Sequence, residues 1–267
     1  MKYMEIKEYV RNRKQFLKDE FLALNDKHKF VIVQMNEDAA SNAYIKGKLK
    51  DGNELGVNVE LRKFPLDLSH EQLLKEIEKL NNDDEVAGFI VQMPLPKQIN
   101  EEDVKLAISP KKDVDGFHPL SKLNPCTPQG SMTYRDEEKI ELMGKNAVVI
   151  GRSNIVGQPM AKMLLARSAN VTVLHSKTNI DDMRRYIENA DIIVVAVGKI
   201  GLLNDSFKYK KTAVIVDVGI NRSEDGLKGD ATKGLDVALQ TPVPGGVGLL
   251  TRLALYENYL KIIKGAN

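Results

Sequence analysis

This chain of 267 residues predicts an α/β protein of two domains, on three observations. Short apolar runs rich in β-branched residues alternate with amphipathic stretches, the pattern of parallel sheets covered by helices on both faces. The alternation is interrupted by the Pro- and Gly-rich segment Asp113 to Gln129 and then resumes, which places a domain boundary there. Within the second half, Ala147-Val148-Val149-Ile150 runs into Gly151, and helical spacing returns after Gly157. Strand, glycine turn and helix together offer an anion the free N–H groups and the dipole of a helix N-terminus.

Taken in order, residues 4–24 carry Ile6, Val10, Phe16, Leu17, Phe21, Leu22 and Leu24 among Lys, Arg and Glu, an approximate helical stripe that needs a partner to pack on. Lys29 to Met35 reads as a buried strand, and Ala39 to Leu55 as a helix closed by Gly56. Val57 to Lys63 is strand-like, Ser69 caps a helix running to Leu80, and Val86 to Gln92 is another buried strand. Beyond the boundary, the β-branched runs Val148 to Ile150, Val171 to His175, Ile192 to Val197 and Val214 to Val218 suit a Rossmann-type unit. Gln240 to Gly248 is a second break, and a helix over Leu249 to Ile263 is expected to return to the first domain, because a lone terminal helix must bury its apolar face.

Composition narrows the function. With 39 basic and 37 acidic residues the net charge is +2, too balanced for a chain that binds nucleic acid through its overall field, so a small molecule is the expected partner. The single cysteine, Cys126, cannot form an internal disulfide, and the histidines at 28, 70, 118 and 175 lack metal-ligand spacing. A cytoplasmic, metal-free protein is expected. No apolar run approaches the roughly 20 residues that cross a bilayer, and the charged N-terminus lacks the apolar core of an export signal.

The chemistry-bearing positions follow from this layout. The Gly151/Gly157 spacing serves either a nucleotide site or a tight turn that binds nothing. In a dinucleotide fold the end of the second strand selects the cofactor, and here it reads Leu174-His175-Ser176-Lys177 with no acidic residue; with Arg152 after the first glycine, this favours NADP over NAD. The same cations also suit an ordinary solvated surface. Ser41, Tyr44 and Lys48 share one face of a helix, so a flat ring and an amine that can exchange protons when partly desolvated stand together, although surface lysines are common. Gln92 closes an apolar strand, where ligands of open α/β sheets bind; turn-capping is its alternative. Asp113 and Asp115 flank Val114 before Gly116, and turn chemistry accounts for at least one of them. Pro244 and Gly245 lie in a loop that suits close backbone approach to a ligand or an interdomain hinge.

Eight stretches in order carry a resemblance: SNAYIKGK from Ser41, VQMPLP from Val91, PKKDVDGF from Pro110, PCTPQG from Pro125, VVIGRSNIVGQP from Val148, HSKT from His175, DVGINR from Asp217 and TPVPGGVG from Thr241. Together they resemble the bifunctional methylenetetrahydrofolate dehydrogenase/methenyltetrahydrofolate cyclohydrolase family. The resemblance implies a folate-binding catalytic domain over 1–127 and 248–267, a Rossmann-type NADP-binding domain over 128–247, and an active site in the cleft between them. By position Lys48 matches the catalytic lysine, Tyr44 the tyrosine stacked on the folate, Gln92 the glutamine that tunes the lysine, and Asp115 the aspartate that holds the pterin. Pro244 and Gly245 would complete the substrate site. Gly151, Arg152, Ser153, Ser176 and Ile220 match cofactor contacts. The implied reactions oxidise 5,10-methylenetetrahydrofolate with NADP⁺ and hydrolyse the methenyl product to 10-formyltetrahydrofolate, in a cytoplasmic homodimer serving one-carbon metabolism.

The chain departs from the family pattern at Asn36-Glu37-Asp38-Ala39-Ala40, which lacks the usual Gly and Pro, at Leu249-Leu250 in place of Pro-Met, and in a shorter N-terminus. Two other functions fit the same residues: a dehydrogenase with weak or absent cyclohydrolase activity, and a non-catalytic folate or nucleotide binder.

Overall fold

The structure is a computed structural model that describes residues 6–265. It divides into two compact units, Arg11–Cys126 with Arg252–Asn267, and Met1–Val10 with Thr127–Thr251. Both are α/β, as the alternation of apolar runs and amphipathic stretches requires.

The first unit is built on a parallel sheet of β1 (Lys29–Gln34), β2 (Val59–Lys63) and β3 (Val86–Val91) in the order β2-β1-β3. Successive side chains of the central strand β1 point to opposite faces, and both faces are covered. Val31 and Val33 pack with Leu73, Ile77 and Leu80 of α3 (His70–Asn82) and with Val104 of α4 (Glu101–Ala107). Phe30 turns the other way, onto Tyr259 at 5.0 Å, stacked, and Tyr256 at 5.8 Å, edge-on. Those tyrosines belong to α8 (Val247–Ile263), whose residues from Arg252 onward lie in this unit. Each such aromatic pair contributes about 1 kcal/mol beyond its buried area.

The helices start and stop where their end residues allow. In α2 (Ala39–Leu55), Asp38 accepts from Ser41 N, and Gly56 at φ 76° closes the last turn. Helix α3 starts with a complete capping box between Ser69 and Gln72. Helix α1 (Ile6–Leu24) buries Ile6, Val10, Leu17 and Phe21, and the expected residues before Ile6 lie outside the described part.

The second unit holds five parallel strands, β4 (Asn146–Ile150), β5 (Asn170–Leu174), β6 (Ile192–Val195), β7 (Val214–Asp217) and β10 (Leu239–Gln240), in the order β10-β7-β6-β4-β5. This is the six-stranded Rossmann order with its third strand missing, so β5 is an edge. The chain leaves β4 toward β5 on one side and returns to β6 on the other. The crevice where the order reverses lies at the carboxyl ends of β4 and β6, and α6 (Gly157–Leu165) and α7 (Ile180–Asn189) connect these strands.

The structure adds elements that the sequence reading did not name and shifts one helix start. Helix α5 (Cys126–Glu137) starts inside the segment Asp113 to Gln129; Pro128 is tolerated in the first turn, where its missing N–H has no partner to lose. Strand β10 has only two residues, too few for a periodic signal, and β8 (Asn221–Ser223) with β9 (Gly226–Lys228) forms a small antiparallel hairpin. Helix α8 starts at Val247, two residues before the expected start. No described helix is long and apolar enough to cross a membrane.

Candidate active site

In the first unit the face of α2 that carries Ser41, Tyr44 and Lys48 meets the carboxyl end of β3. Lys48 is 8% exposed and donates from Nζ to Gln92 Oε1 at 3.0 Å. Gln92 Nε2 donates to Met93 O at 2.8 Å, which fixes the amide with its oxygen toward the lysine. Ser41 Oγ donates to the same carbonyl at 3.3 Å. The atypical segment before α2 is tied in as well: Asn36 Nδ2 donates to Pro94 O at 2.9 Å, and Gln34 Nε2 donates to Asn36 O at 2.8 Å.

Helix α8 supports the back of α2. Tyr256 donates its hydroxyl to Lys48 O at 2.6 Å, in the space left by the missing side chain of Gly52. Arg252 lies over Gly47 and pairs with the buried Asp51 at 3.1 Å, and Asp51 also pairs with Lys14 at 2.5 Å. The Tyr44 hydroxyl has its pKa raised by burial, an effect that the Arg252 charge opposes. Arg252, Asp51 and Tyr256 were not singled out from sequence. Their i, i+4 spacing on α8 and the i+3 step from Lys48 to Asp51 were readable, but nothing showed that the two helices meet.

The two aspartates of Asp113-Val114-Asp115 separate into different tasks. Asp113 is the turn residue, accepting from Gly116 N at 3.0 Å and His118 N at 2.8 Å. Asp115 is the one beside Lys48: burial raises its pKa and the Lys48 charge pulls it back. Cys126, buried nearby, has its thiol pushed well up by burial and by Asp115. It is therefore a packed thiol rather than a thiolate nucleophile.

Burial pushes the Asp113 carboxyl up to about 6, against its backbone hydrogen bonds. A carboxyl raised on folding contributes stability that is complete below its unfolded pKa near 3.8 and lost as pH rises through about 6. The stability of the wild type relative to Asp113→Asn, which cannot titrate, is therefore expected to fall by an amount on the order of 3 kcal/mol between about pH 4 and 6. Thermal unfolding of both proteins across that window checks it, and a wild type that gains on the variant contradicts it.

In the second unit a cavity of ≈ 590 Å³ opens at the carboxyl ends of β4, β5 and β6. Gly151, Arg152, Ser153 and Ser176 line it together, with Val197 and Lys199 from the loop after β6. The lining residues include no carboxylate, and Arg152 and Lys199 supply positive charge. Gly151 has φ 120°, and a Cβ on it would run into the backbone oxygen of Ala196, so the turn needs glycine. Ser153 Oγ accepts from Val156 N at 3.2 Å and Gly157 N at 3.3 Å, capping α6 where its nominal N-cap, Val156, cannot.

Not every expected residue joins these two groups. Ile220 is 37% exposed and is not part of the cavity wall. Lys177 does not line it either, and Lys199, missed from sequence, does. Pro244 and Gly245 belong to the same unit as the cavity, whereas Tyr44, Lys48, Gln92 and Asp115 belong to the other. Among the described residues no group of His, Cys, Asp and Glu is placed to hold a metal ion.

A parallel sheet that opens its switch point to a basic, glycine-turned cavity, carried with a unit that presents an enclosed lysine, is the arrangement of a nucleotide-dependent enzyme. The comparisons give the particular family. Residues 4–115 match the catalytic domain of tetrahydrofolate dehydrogenase/cyclohydrolase and residues 125–267 match its NAD(P)-binding domain. The chain belongs to the tetrahydrofolate dehydrogenase/cyclohydrolase family. It is 44% identical to the bifunctional protein FolD of Staphylococcus aureus, over 97% of this chain and 95% of that one. The crystal structure of the bifunctional FolD enzyme from Campylobacter jejuni superposes with a TM-score of 0.94 at 38% identity, covering 100% of both chains. The Trypanosoma brucei enzyme, solved with NADP cofactor and inhibitor, superposes at 0.91 with 27% identity, over 99% of this chain and 98% of that one.

Proposed function

We propose that this protein oxidises 5,10-methylenetetrahydrofolate to 5,10-methenyltetrahydrofolate with NADP⁺ and hydrolyses that product to 10-formyltetrahydrofolate. The observation that carries the reading is the enclosed Lys48 with its Nζ on Gln92 Oε1 and Asp115 beside it. A lysine needed only for solubility would stand in water.

The folate-binding catalytic domain comprises 1–127 and 248–267, and the NADP-binding domain 128–247. Tyr44 supplies a ring face for the folate, and Asp115 holds the pterin by its exchangeable N–H groups. Pro244 and Gly245 bring backbone to the substrate. Gly151, Arg152, Ser153, Ser176 and Ile220 serve the cofactor. The basic cavity without a carboxylate fits a 2′-phosphate. When bound, NADP⁺ supplies the hydride acceptor, so oxidation asks the protein mainly for positioning. Hydrolysis asks more. Water adds to the methenyl carbon and releases one proton; as the bond from that carbon to N5 breaks, the hydroxyl loses its second proton to become the formyl oxygen and N5 takes one up, so one proton is released overall. Lys48 Nζ, held by Gln92, handles that proton. A cytoplasmic location and a homodimer complete the proposal, the edge strand β5 being an unpaired border suited to a second copy.

The deciding assay offers the purified protein 5,10-methylenetetrahydrofolate with NADP⁺ or NAD⁺. Reduction of NADP⁺ in preference to NAD⁺ is expected, and reduction of neither sinks the dehydrogenase reading. Arg152→Ala is expected to raise KM for NADP⁺ about tenfold, the loss of one charge-assisted contact, while KM for NAD⁺ changes by less than about threefold. Equal changes for both cofactors would remove Arg152 from the 2′-phosphate site.

A further inference from the structure

Asp230 has no role in the chemistry above, yet its carboxylate is completely enclosed (0% exposed) and fully engaged. Oδ2 accepts from Val197 N at 2.7 Å and Gly198 N at 2.9 Å, and Oδ1 accepts from Lys199 N at 2.8 Å and Asn221 Nδ2 at 2.9 Å. Three successive backbone N–H groups converge on one point because Gly198 turns the chain at φ 76°, which makes the anion-binding nest often seen around phosphates. Here the anion is the protein's own.

The groups held by Asp230 come from two segments. Val197 and Lys199 are walls of the 590 Å³ cavity and follow β6, whereas Asn221 opens β8, outside the cavity wall. A second carboxylate anchors Asp230 itself: Asp217, at the end of β7, accepts from Asp230 N at 3.0 Å, Ala231 N at 2.9 Å and Gly219 N at 2.9 Å. The two aspartates fit against each other's glycines, because a Cβ on Gly219 would strike the Asp230 carboxyl and one on Gly229 would strike that of Asp217. Strand ends β6 and β7 are thus joined by a lattice of charge-assisted hydrogen bonds with no water needed to complete it.

We propose that Asp230 is a positioning residue for NADP, its carboxylate setting the loop after β6, whose Val197 and Lys199 wall the cofactor cavity, and tying it to Asn221. The proposal rests on the reading above that this cavity takes NADP. Asn at 230 would turn an NH₂ toward two N–H donors in either amide orientation, so half of the nest loses its acceptor.

The test measures NADP⁺ binding by calorimetry, together with dehydrogenase and cyclohydrolase rates, for wild type and two variants. Asp230→Asn is expected to weaken NADP⁺ binding and raise its KM at least about tenfold, with cyclohydrolase activity, started from the methenyl substrate without NADP⁺, within about twofold of wild type. Asn221→Ala removes one of the four donors and is expected to weaken NADP⁺ binding by about two- to fivefold. Unchanged NADP⁺ binding in Asp230→Asn overturns the proposal. So does a parallel loss of NADP⁺ binding and cyclohydrolase activity in both variants, which would make the lattice a general structural element. A wild type that turns over no folate while Asp230→Asn still weakens NADP⁺ binding removes the functional reading and leaves the positioning role standing.

Discussion

Lys48→Met is expected to lower cyclohydrolase activity by at least about 10²-fold, the usual contribution of a positioned acid or base, while measurable dehydrogenase activity survives. Methionine keeps the length and apolar body of the side chain, so α2 retains its packing against Tyr256 and Arg252. It leaves Gln92 Oε1 without its donor but removes no group that hydride transfer requires. The methenyl compound should then accumulate, which its absorbance reports directly. Equal loss of both activities with folate binding intact would show that the lysine serves oxidation as much as hydrolysis.

Gly151→Ala should strike the other half of the reaction. The residue sits at φ 120°, where a side chain is strained, and its new Cβ would meet the carbonyl of Ala196, which is held in place by Ala196 N donating to Ile150 O at 2.9 Å. Forcing a methyl group into such a turn costs on the order of 2–4 kcal/mol. The turn is expected to open, NADP⁺ affinity to fall at least about tenfold, and cyclohydrolase activity to persist. Binding titrations with NADP⁺ and hydrolysis assays on the same preparation make the comparison. Wild-type affinity in the variant would mean that the turn does not shape the cofactor cavity.

The sequence revealed most where one physical rule acts over several residues. Buried parallel strands show as continuous apolar runs, so β1, β3, β4, β6 and β7 were visible, whereas β10 with two residues offered no period to detect. Helix ends were legible at Gly56 and Ser69 because capping is local. Lys48 and Gln92 lie 44 positions apart, and only the resemblance linked them; the hydrogen bond now gives that link a geometry. Asp113 and Asp115 were indistinguishable as letters, since the difference between them is which one faces the backbone of the next turn. Asp230 was invisible for a similar reason, because Val197, Gly198 and Lys199 lie more than 30 positions before it and contribute only backbone.

The division of the chain also sets the order in which a ribosome can complete the two units. Helix α2 emerges early, but the hydroxyl that braces Lys48 O belongs to Tyr256, 208 residues later. The same holds for Arg252 against Asp51. Every residue of the cofactor unit through Thr251 is made before those supports exist. The half of the enzyme written first is therefore the half finished last, and during synthesis its apolar sheet face must wait uncovered for α8.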